Sequence, residues 1–505
     1  MSGDSFDAFV ELARGETPRT GPRVVPVWRE SPLGSDTPAS AYSKLWRGAF
    51  GFLLESATPG GGTWARYTFL GTEPRAAWRL SKGKVHDWDS HRGWHSERSP
   101  DDPLRDLESL VTRATPVHAG ELGEFWTGAV GYFGYDVVRL IERLPGRPSD
   151  ASSVPDAMFV FTRSMVIIDN VKSVARTVVG VIIEENTTDD ELRALYDEAI
   201  REIDTFETRL REAPSPVERS FDVHAPPASG NSSIDRHDFI EGVERIREYI
   251  RAGDCFQALL SRRIEVQADF DPATLYRALR ALNPSPYMYH LVLDGVEIVG
   301  SSPELLVRLS DGRVTLRPIA GTRPRGETSE RDAELARELL ADPKERAEHI
   351  MLVDLGRNDV GRVARYGTVH VTELMKIEKY SHVLHIVSQV EGEVSEDRSA
   401  MDIFRATFPA GTMTGAPKVR AMQIIDELEP VSRGAYAGAI GYIAGGGRRM
   451  DLAITIRTCV IADGIASVQA GAGIVADSVG VTEWDETENK ARAVLTAIAQ
   501  ARTAR

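Results

Sequence analysis

The stretch LVLDGVEIVGSSPELLVRLSDGRVTLRPI, residues 291–319, decides the fold class of this 505-residue chain. Short runs of Val, Ile and Leu are separated by Asp-Gly pairs, which is typical of two successive β-hairpins. Elsewhere in the chain, strand-like segments come in runs and helix-like segments come in runs, without strict alternation. This order favours an α+β protein over a doubly wound parallel sheet.

Outward from this stretch, the sequence predicts two domains. Short strands precede the helical segment DDELRALYDEAIREIDTFETRLREA at 189–213, and the following residues are rich in Pro, Ser and Gly. Such a composition is typical of a linker. We therefore predict an N-terminal domain over 1–212, a linker over 213–233 and a C-terminal domain over 234–505. No repeat at a fixed period is evident.

Composition excludes several classes of protein. The net charge of -15 and the pI of about 5.4 argue against a nucleic-acid or anionic-membrane surface. Cys255 and Cys459 are the only cysteines, too few for a disulfide framework or a four-thiolate zinc site. No stretch is apolar enough for a membrane span or a signal peptide. We expect a soluble protein of the cytoplasm.

One predicted helix places carboxylates on its apolar face. In KERAEHIMLVDLGRND, residues 344–359, the side chains of Glu345, Glu348, Leu352 and Leu355 step by three, four and three positions. They therefore share about a third of the helix circumference. Two carboxylates are predicted to face inward.

A second helix repeats the pattern near the end of the chain. In TEWDETENKARAVLTAIA, residues 482–499, Thr482 could cap the helix, and acids and a lysine share one side with alanines. These side chains are Glu483, Glu486, Lys490, Ala493 and Ala497. Four converging carboxylates would require cations, shared protons or a hard dication such as Mg²⁺. The alternative is that each pair lies on a solvated helix face, as most glutamates do.

Two glycine-rich segments and one arginine are candidates for binding an anion. QAGAGIV at 469–475 and FPAGTMTGAPKVRAMQII at 408–425 are predicted to be turns with free backbone N–H groups, the second delivered onto a helix that begins at Pro417. Arg457 lies in the apolar run LAITIRTCV. An inward arginine in a strand needs an anionic partner, either a ligand or a structural carboxylate.

Four motifs together resemble those of the chorismate-utilising enzymes. They are PIAGTRPRG at 318–326, EHIMLVDLGRND at 348–359, GTMTGAPKVRAM at 411–422 and QAGAGIVADS at 469–478. GAVGYFGYD at 128–136 resembles the N-terminal half of that family. The resemblance implies large antiparallel β-sheets packed face to face and flanked by helices.

The resemblance also implies roles for individual residues. Glu304 would protonate the departing C4 hydroxyl of chorismate, His385 would serve aromatisation and loss of pyruvate, and Thr412 would act beside them. Magnesium would be held by Glu345, Glu348, Glu483 and Glu486. The substrate would be bound by Gly321, Thr322, Tyr436, Arg457, Gly471, Ala472, Gly473 and Lys490.

Two positions indicate which reaction of the family is expected. Members that hydroxylate chorismate carry a lysine where this chain has Gln257, and an amide cannot activate water. Aminodeoxychorismate synthases often carry a lysine in PIKGT, where this chain has Ala320. The resemblance therefore implies the anthranilate synthase reaction, the first step of tryptophan biosynthesis. An aminodeoxychorismate synthase subunit and a non-catalytic tryptophan-sensing homologue stay open as alternatives.

Partners and regulation follow from the same resemblance. The chain has no glutaminase motif, so ammonia would come from a glutamine amidotransferase subunit, in a heterotetramer of two large and two small subunits. Tryptophan would inhibit by binding at Leu54, Glu55, Ser56, Asn283, Pro286, Tyr287, Met288 and Tyr442, with Glu55 meeting its amino group. Ala453 departs from some inhibited members, which carry cysteine there.

Overall fold

A computed structural model describes residues 5–504 except 16–20, 58–65, 147, 149–152, 215–218 and 381–382. Its α-helices are α1 Phe6–Arg14, α2 Pro38–Leu45, α3 Pro103–Thr112, α4 Asp189–Glu212, α5 Arg236–Ala252, α6 Pro272–Leu282, α7 Ser329–Ala341, α8 Pro343–Gly361, α9 Ala400–Thr407, α10 Lys418–Leu428 and α11 Gly480–Thr503.

The strands of the first half are β1 Arg23–Pro32, β2 Phe50–Glu55, β3 Tyr67–Thr72, β4 Ala76–Ser81, β5 Lys84–Asp89, β6 Gly93–Arg98, β7 Thr115–Pro116, β8 Gly128–Phe133, β9 Ala157–Phe161, β10 Ser164–Asp169 and β11 Val174–Ile183. Those of the second half are β12 Asn231–Ser232, β13 Gln257–Gln267, β14 Tyr287–Leu293, β15 Val296–Ser302, β16 Leu305–Ser310, β17 Arg313–Leu316, β18 Ile319–Pro324, β19 His370–Lys379, β20 Val383–Glu393, β21 Gly415–Ala416, β22 Ala439–Ala444, β23 Met450–Ile454, β24 Thr458–Ala462 and β25 Ile465–Ile474.

The strands form two large sheets that are almost entirely antiparallel. The first has the order β12-β13-β25-β24-β15-β14-β2-β3-β10-β11-β1-β7, and β21 pairs with β13. The second has the order β18-β20-β17-β16-β23-β22-β8-β9-β4-β5-β6, and β19 pairs with β20. Among the strands that the structure describes, β1 and β7 are the one pair that runs parallel. The predicted α+β fold with large antiparallel sheets is confirmed.

A shared core joins the two sheets face to face. Phe52 of β2 and Leu291 of β14 pack in one cluster with Val130 of β8 and Ile440 of β22, from the opposite sheet. The outer face of the first sheet is covered by α2, α6 and α11, and that of the second by α3, α8 and α9. Central strands such as β10 and β22 therefore bury both of their faces, which explains their nearly continuous apolar runs in the sequence.

The strand order in both sheets is a pseudo-twofold repeat. From the middle outwards, β14, β15, β24 and β25 match β2, β3, β10 and β11, and β22 and β23 match β8 and β9. The sequence carries a trace of it, since GAVGYF at 128–133 corresponds to GAIGYI at 438–443 and GTEPRAAWRLSKGKV at 71–85 to GSSPELLVRLSDGRV at 300–314. The spacing between matching segments differs, so no fixed period connects the copies.

Both sheets take strands from either side of the segment 213–233. Within that segment, Asn231 and Ser232 pair with β13, and 215–218 lie outside the described residues. The division into domains 1–212 and 234–505 stays a prediction about folding units. None of the helices in the described part of the chain combines the length and apolarity that crossing a membrane requires.

Two short crossings carry the chain from one sheet to the other in the C-terminal half. β15 of the first sheet leads through Pro303 and Glu304 into β16 of the second, and β23 of the second leads through residues 455–457 into β24 of the first. LAITIRTCV is therefore not one strand, and Arg457 lies at the break with a left-handed φ of 53°. The periodicity of a short apolar run does not show such a break, because both segments are buried.

Candidate active site

Glu304 and Arg457 meet because their two crossings lie side by side. The Ile454 N–H donates to the Glu304 carbonyl at 3.0 Å, and the Ser301 N–H donates to the Arg457 carbonyl at 3.2 Å. In the N-terminal copy, Arg75 occupies the position of Glu304 and donates to the carbonyls of Thr162 and Gly180 at 2.8 and 3.0 Å. The chain therefore carries this carboxyl site once.

The Glu304 carboxyl is suited to donate a proton near neutral pH. Burial raises its pKa to about 7, against the opposing effects of a hydrogen bond from Thr412 and the charges of Lys490 and Arg457. Thr412 Oγ1 donates to Glu304 Oε1 at 2.8 Å. A carboxyl with such a pKa holds its proton in a substantial fraction of molecules, as general acid catalysis requires.

Arg457 is a partly buried cation without a side-chain partner among the described residues. The charges of Tyr436, Glu486 and Glu304 act on it, but burial dominates and lowers the pKa of its guanidinium. Tyr436 is 7% exposed and lies on the loop that precedes β22. A guanidinium left unpaired in such surroundings favours an anion that can accept a bidentate hydrogen bond.

The two predicted acidic helices exist, and their glutamates point inward. On α8, which Asp342 caps, Glu345 and Glu348 are partly buried and Leu352 is buried. On α11, Glu483 is 9% exposed and Glu486 is partly buried. Thr482 lies inside α11 and does not cap it, because the helix already begins at Gly480. The alternative of fully solvated glutamates does not hold.

The charges of the two helices act on each other. Burial, followed by the charges of Glu345 and Glu486, raises the pKa of Glu348. Burial also raises the pKa of Glu483, with a contribution from Glu486. Two carboxyls whose ionised forms are disfavoured by burial and by like charge are suited to a cation placed between the helices.

The other two glutamates, Glu345 and Glu486, form ion pairs with basic side chains of the same protein. Arg323 Nη1 donates to Glu345 at 3.0 Å, and Lys490 Nζ lies 2.5 Å from Glu486 and donates to the Gly471 carbonyl at 2.9 Å. No three of the four carboxylates lie within 4.8 Å of one another. Among the described residues the only group that does is His237, Asp238 and Glu241, which is exposed on α5.

His385 lies on β20, where it pairs with Thr322 of β18 and is close enough to Arg457 for that charge to act on its pKa. Its Nδ1 donates to the Gly321 carbonyl at 3.0 Å and lies 3.2 Å from Thr322 Oγ1. Burial lowers the pKa of the imidazole. The ring is therefore neutral at physiological pH with a free lone pair on Nε2. Gly321 has a φ of 64°, and a Cβ there would lie 3.2 Å from Glu345 Oε2, so glycine lets the strand approach α8.

The segment QAGAGIV is a strand, which corrects the predicted turn. Residues 469–474 belong to β25 and pair with β13, while β24 covers the other edge only up to Val468. The backbone of Gly471, Ala472 and Gly473 therefore has one edge without a strand partner. A Cβ at Gly473 would lie 2.6 Å from Gln257 Nε2, so close packing and not turn geometry requires glycine here. FPAGTMTGAPKV does form a loop, and Pro417 caps α10.

The family model described as chorismate binding enzyme matches residues 52–496, a range that contains both crossings, α8 and the part of α11 that carries Glu483 and Glu486. This chain belongs to the chorismate-binding enzyme family.

Relatives in this family share nearly the whole chain. Anthranilate synthase component 1 of Acinetobacter calcoaceticus is 46% identical over 95% of this chain and 96% of its own length. That of Acetivibrio thermocellus is 44% identical over 95% and 96%. The crystal structure of anthranilate synthase component I from Streptococcus pneumoniae TIGR4 matches with a TM-score of 0.74, 36% identity, and coverage of 92% of this chain and 99% of that one.

A cavity of this chorismate-binding enzyme lies between the two sheets, next to the paired strands β2 and β14. It has a volume of about 70 Å³, and Tyr442 at its wall stacks on Phe125 at 4.3 Å. Seven of the eight residues predicted to bind tryptophan line it: Leu54, Glu55, Ser56, Pro286, Tyr287, Met288 and Tyr442. Asn283 does not line it and instead donates to Ser301 Oγ at 3.1 Å.

The carboxylate of Glu55 is already paired. Arg280 donates to it at 2.7 Å and Tyr276 at 2.7 Å, both from α6 on the outer face of the sheet. Alternation along β2 turns Leu54 into the sandwich and Glu55 outwards. The structure therefore disagrees with the expectation that this carboxylate meets an amino group in the cavity.

Sequence patterns missed a buried ion pair that holds the site loops. Arg433 Nη2 donates to Glu429 at 2.7 Å, and its Nη1 donates to the Met413 carbonyl at 2.7 Å, beside Thr412. Both side chains are at most 2% exposed. Glu429 and Arg433 are four positions apart, which was the one sequence feature that could have indicated the pair. It would have been read as a contact within a helix, but α10 ends at Leu428, before Glu429.

Proposed function

We propose that this chain is the large subunit of an anthranilate synthase, a lyase that converts chorismate and ammonia to anthranilate and pyruvate through 2-amino-2-deoxyisochorismate. The observation that carries the proposal is the placement of Glu304. Its half-buried carboxyl, with a pKa of about 7, lies beside the unpaired Arg457 in the crossing between the sheets. An acid next to an anion site matches a substrate that loses a hydroxyl and carries carboxylates.

The residues divide the reaction between them. Arg457, Tyr436 and the open edge of β25 bind the enolpyruvyl carboxylate, while Gly321 and Thr322 orient the ring. Ammonia attacks C2, and Glu304 gives its proton to the C4 hydroxyl, which leaves as water. His385, neutral and with Nε2 free, serves the elimination of pyruvate that makes the ring aromatic. Thr412 keeps the Glu304 carboxyl in place through its hydrogen bond.

Magnesium fits the acidic face between α8 and α11. Glu348 and Glu486 would hold the ion, and Glu345 and Glu483 would support its water ligands, because a hard dication prefers carboxylate oxygens and retains water. Bound there, the ion would neutralise the ring carboxylate of chorismate. The raised pKa values of Glu348 and Glu483 support this proposal, since a bound cation would offset both the burial and the nearby like charges that raise them.

Ammonia is proposed to come from a glutamine amidotransferase subunit, the component II that the naming of the relatives as component 1 implies. The proposed assembly contains two large and two small subunits. Tryptophan is proposed to inhibit by filling the cavity between β2 and β14. Because the Glu55 carboxylate is paired with Arg280, the ammonium group of tryptophan would be met by other acceptors there, such as Ser56 Oγ, which has no hydrogen-bond partner among the described residues.

Incubation of the pure protein with chorismate, Mg²⁺ and an ammonium salt tests the function. We expect fluorescent anthranilate and an equal amount of pyruvate. An amino product that is not aromatic, formed without pyruvate, would identify an aminodeoxychorismate synthase instead. Tryptophan binding without any turnover would identify a non-catalytic sensor.

A further inference from the structure

A small cavity adjoins Glu304 and is lined by few of the residues predicted to bind the substrate. Its volume is about 40 Å³, and it lies between the ends of β16 and β17, the helix α8 and the loop 410–412. Of the predicted site residues only Glu304 and Thr412 line it, and neither Arg457 nor Lys490 does. Glu304 therefore borders the substrate site predicted beside Arg457 and Lys490 and, on another side, this cavity.

Asp359 of α8 lines the same cavity. It is 3% exposed, and Lys418 Nζ donates to its Oδ2 at 2.9 Å. Its Oδ1 is buried and accepts no hydrogen bond from any described residue. A buried carboxylate oxygen without a protein partner is usually satisfied by water. The volume of the cavity is sufficient for at least one water molecule.

The proposed reaction requires protons to move at both ends of the substrate. When Glu304 protonates the departing C4 hydroxyl, water leaves and Glu304 becomes a carboxylate. The nitrogen added at C2 carries one surplus proton, which it releases. The reaction is balanced once Glu304 regains a proton, but substrate fills the space in front of its carboxyl.

We propose that water in the cavity behind Glu304 returns the proton, with the Asp359–Lys418 pair at the other end of the route. This inference rests on the proposed function. The Lys418 ammonium group gives a proton to Asp359, Asp359 passes one to the cavity water, and that water passes one to the Glu304 carboxylate. Solvent then reprotonates Lys418, and no atom of Asp359 touches the substrate. Lys418, whose side chain is 12% exposed, connects the pair to the surface.

Asp426 provides a matched control. It is also a buried aspartate in an ion pair, with Arg139 at 2.8 Å, and its Oδ2 also lacks a hydrogen-bond partner. It does not line the cavity. A purely structural cost of replacing a buried, paired aspartate should therefore occur in both Asp359→Asn and Asp426→Asn.

The experiment compares these two variants in turnover of chorismate with ammonium salt. We expect Asp359→Asn to lower kcat roughly tenfold, to leave the KM for chorismate unchanged and to increase the solvent deuterium isotope effect on kcat. Asp426→Asn should change none of these quantities. Gly356→Ala is a second variant that keeps the ion pair: its added methyl lies 3.6 Å from Val390 and 4.0 Å from Leu316, an ordinary contact that narrows the cavity. It should also lower kcat.

Equal effects of Asp359→Asn and Asp426→Asn would overturn the inference, as would an unchanged isotope effect. A high-resolution crystal structure provides a readout that does not depend on activity: ordered water bridging Asp359 and Glu304 supports the route, and a dry cavity refutes it. If the wild-type protein makes no anthranilate, the proposed function fails and the proton route fails with it. If anthranilate is formed but the cavity holds no ordered water, only the route is refuted.

Discussion

At the scale of single residues, burial turns an ordinary glutamate into a proton donor. The sequence SSPE presents Glu304 as a polar residue between two strands, without indicating how much water reaches it. In the structure the crossing between the sheets buries the carboxyl, and burial disfavours its ionised form more than Lys490 and Arg457 favour it.

Glu304→Gln should lower kcat by about a hundredfold or more, because an amide cannot donate the proton. In the wild-type protein, kcat at a fixed concentration of free ammonia should fall as pH rises through about 7, where the carboxyl ionises. Glu304→Asp, which keeps an acid, should retain part of the activity. A kcat that stays constant to pH 9 would contradict the assignment of Glu304.

The same carboxyl predicts a pH dependence of stability. Its pKa is about 7 in the folded protein, against an ordinary value of 4.5 for a glutamate in water, so the stabilisation by its neutral form is complete below about pH 4.5 and is lost as pH rises through 7. Glu304→Gln should therefore melt at a higher temperature than the wild-type protein above pH 7 and at a similar one near pH 4. Calorimetric melting curves at both pH values test this. Equal melting temperatures at pH 8 would show that the ionised carboxylate is not destabilising.

Arg457→Gln should separate binding from stability. Because the partly buried guanidinium has no side-chain partner among the described residues, its removal should raise the melting temperature of the ligand-free protein. The KM for chorismate should increase at least roughly tenfold, since a charge-assisted hydrogen bond to a carboxylate is lost. An unchanged KM would show that Arg457 has only a structural role.

At the scale of elements, the helices α8 and α11 each supply two carboxylates that neither could bury alone. The spacing of the glutamates along each helix showed that they share its inner face. Neither sequence segment showed that this face lies opposite the other acidic helix. Their mutual effect on the pKa of Glu348 exists only because the two helices face each other.

Glu348→Gln should therefore have opposite effects with and without metal. Without Mg²⁺ the variant should melt at a higher temperature than the wild-type protein, because one repelling carboxylate is gone. With Mg²⁺ this advantage should disappear and turnover should be lost, since the ion becomes under-coordinated. Asp354→Asn on the exposed side of α8 is the control and should change neither property. Full activity of Glu348→Gln would refute the metal assignment.

At the scale of the whole molecule, the two halves meet along the central strands of both sheets. The cavity lined by Ser56 and Met288 lies at this junction, where β2 of one half pairs with β14 of the other. A ligand there contacts both halves at once. Asn283 and Ser285 connect the wall of the cavity to Ser301, whose N–H donates to the Arg457 carbonyl.

Ser56→Phe should make turnover insensitive to tryptophan. A phenyl ring exceeds the space that the hydroxymethyl group leaves in a cavity of about 70 Å³, so the ligand is excluded. Anthranilate formation is measured at increasing tryptophan concentrations, and the rate without tryptophan shows that the active site is intact. Inhibition like that of the wild-type protein would place the regulatory site elsewhere.

The sequence alone determined the identity of the chemical groups. The hairpins at 291–319, both acidic helices and the motif order were predicted correctly, because periodicity and turn residues act over a few neighbouring positions. The predictions that failed concern Arg457 in a continuous strand, QAGAGIV as a turn, Thr482 as a cap and the Glu55 carboxylate in the cavity. The environment of each of these segments depends on which sheet, strand edge or helix packs against it in the folded protein.

Only the tertiary structure decided which groups meet and what charge they carry. The pseudo-twofold arrangement brings the crossings at Glu304 and Arg457 together although 152 residues separate Ser302 from its acceptor at Ile454. The raised pKa of Glu304 and the lowered pKa of Arg457 both follow from burial, which is a property of the packed sheets. A chain specifies its side chains locally, but desolvation and Coulomb interactions depend on distances in space that local patterns do not encode.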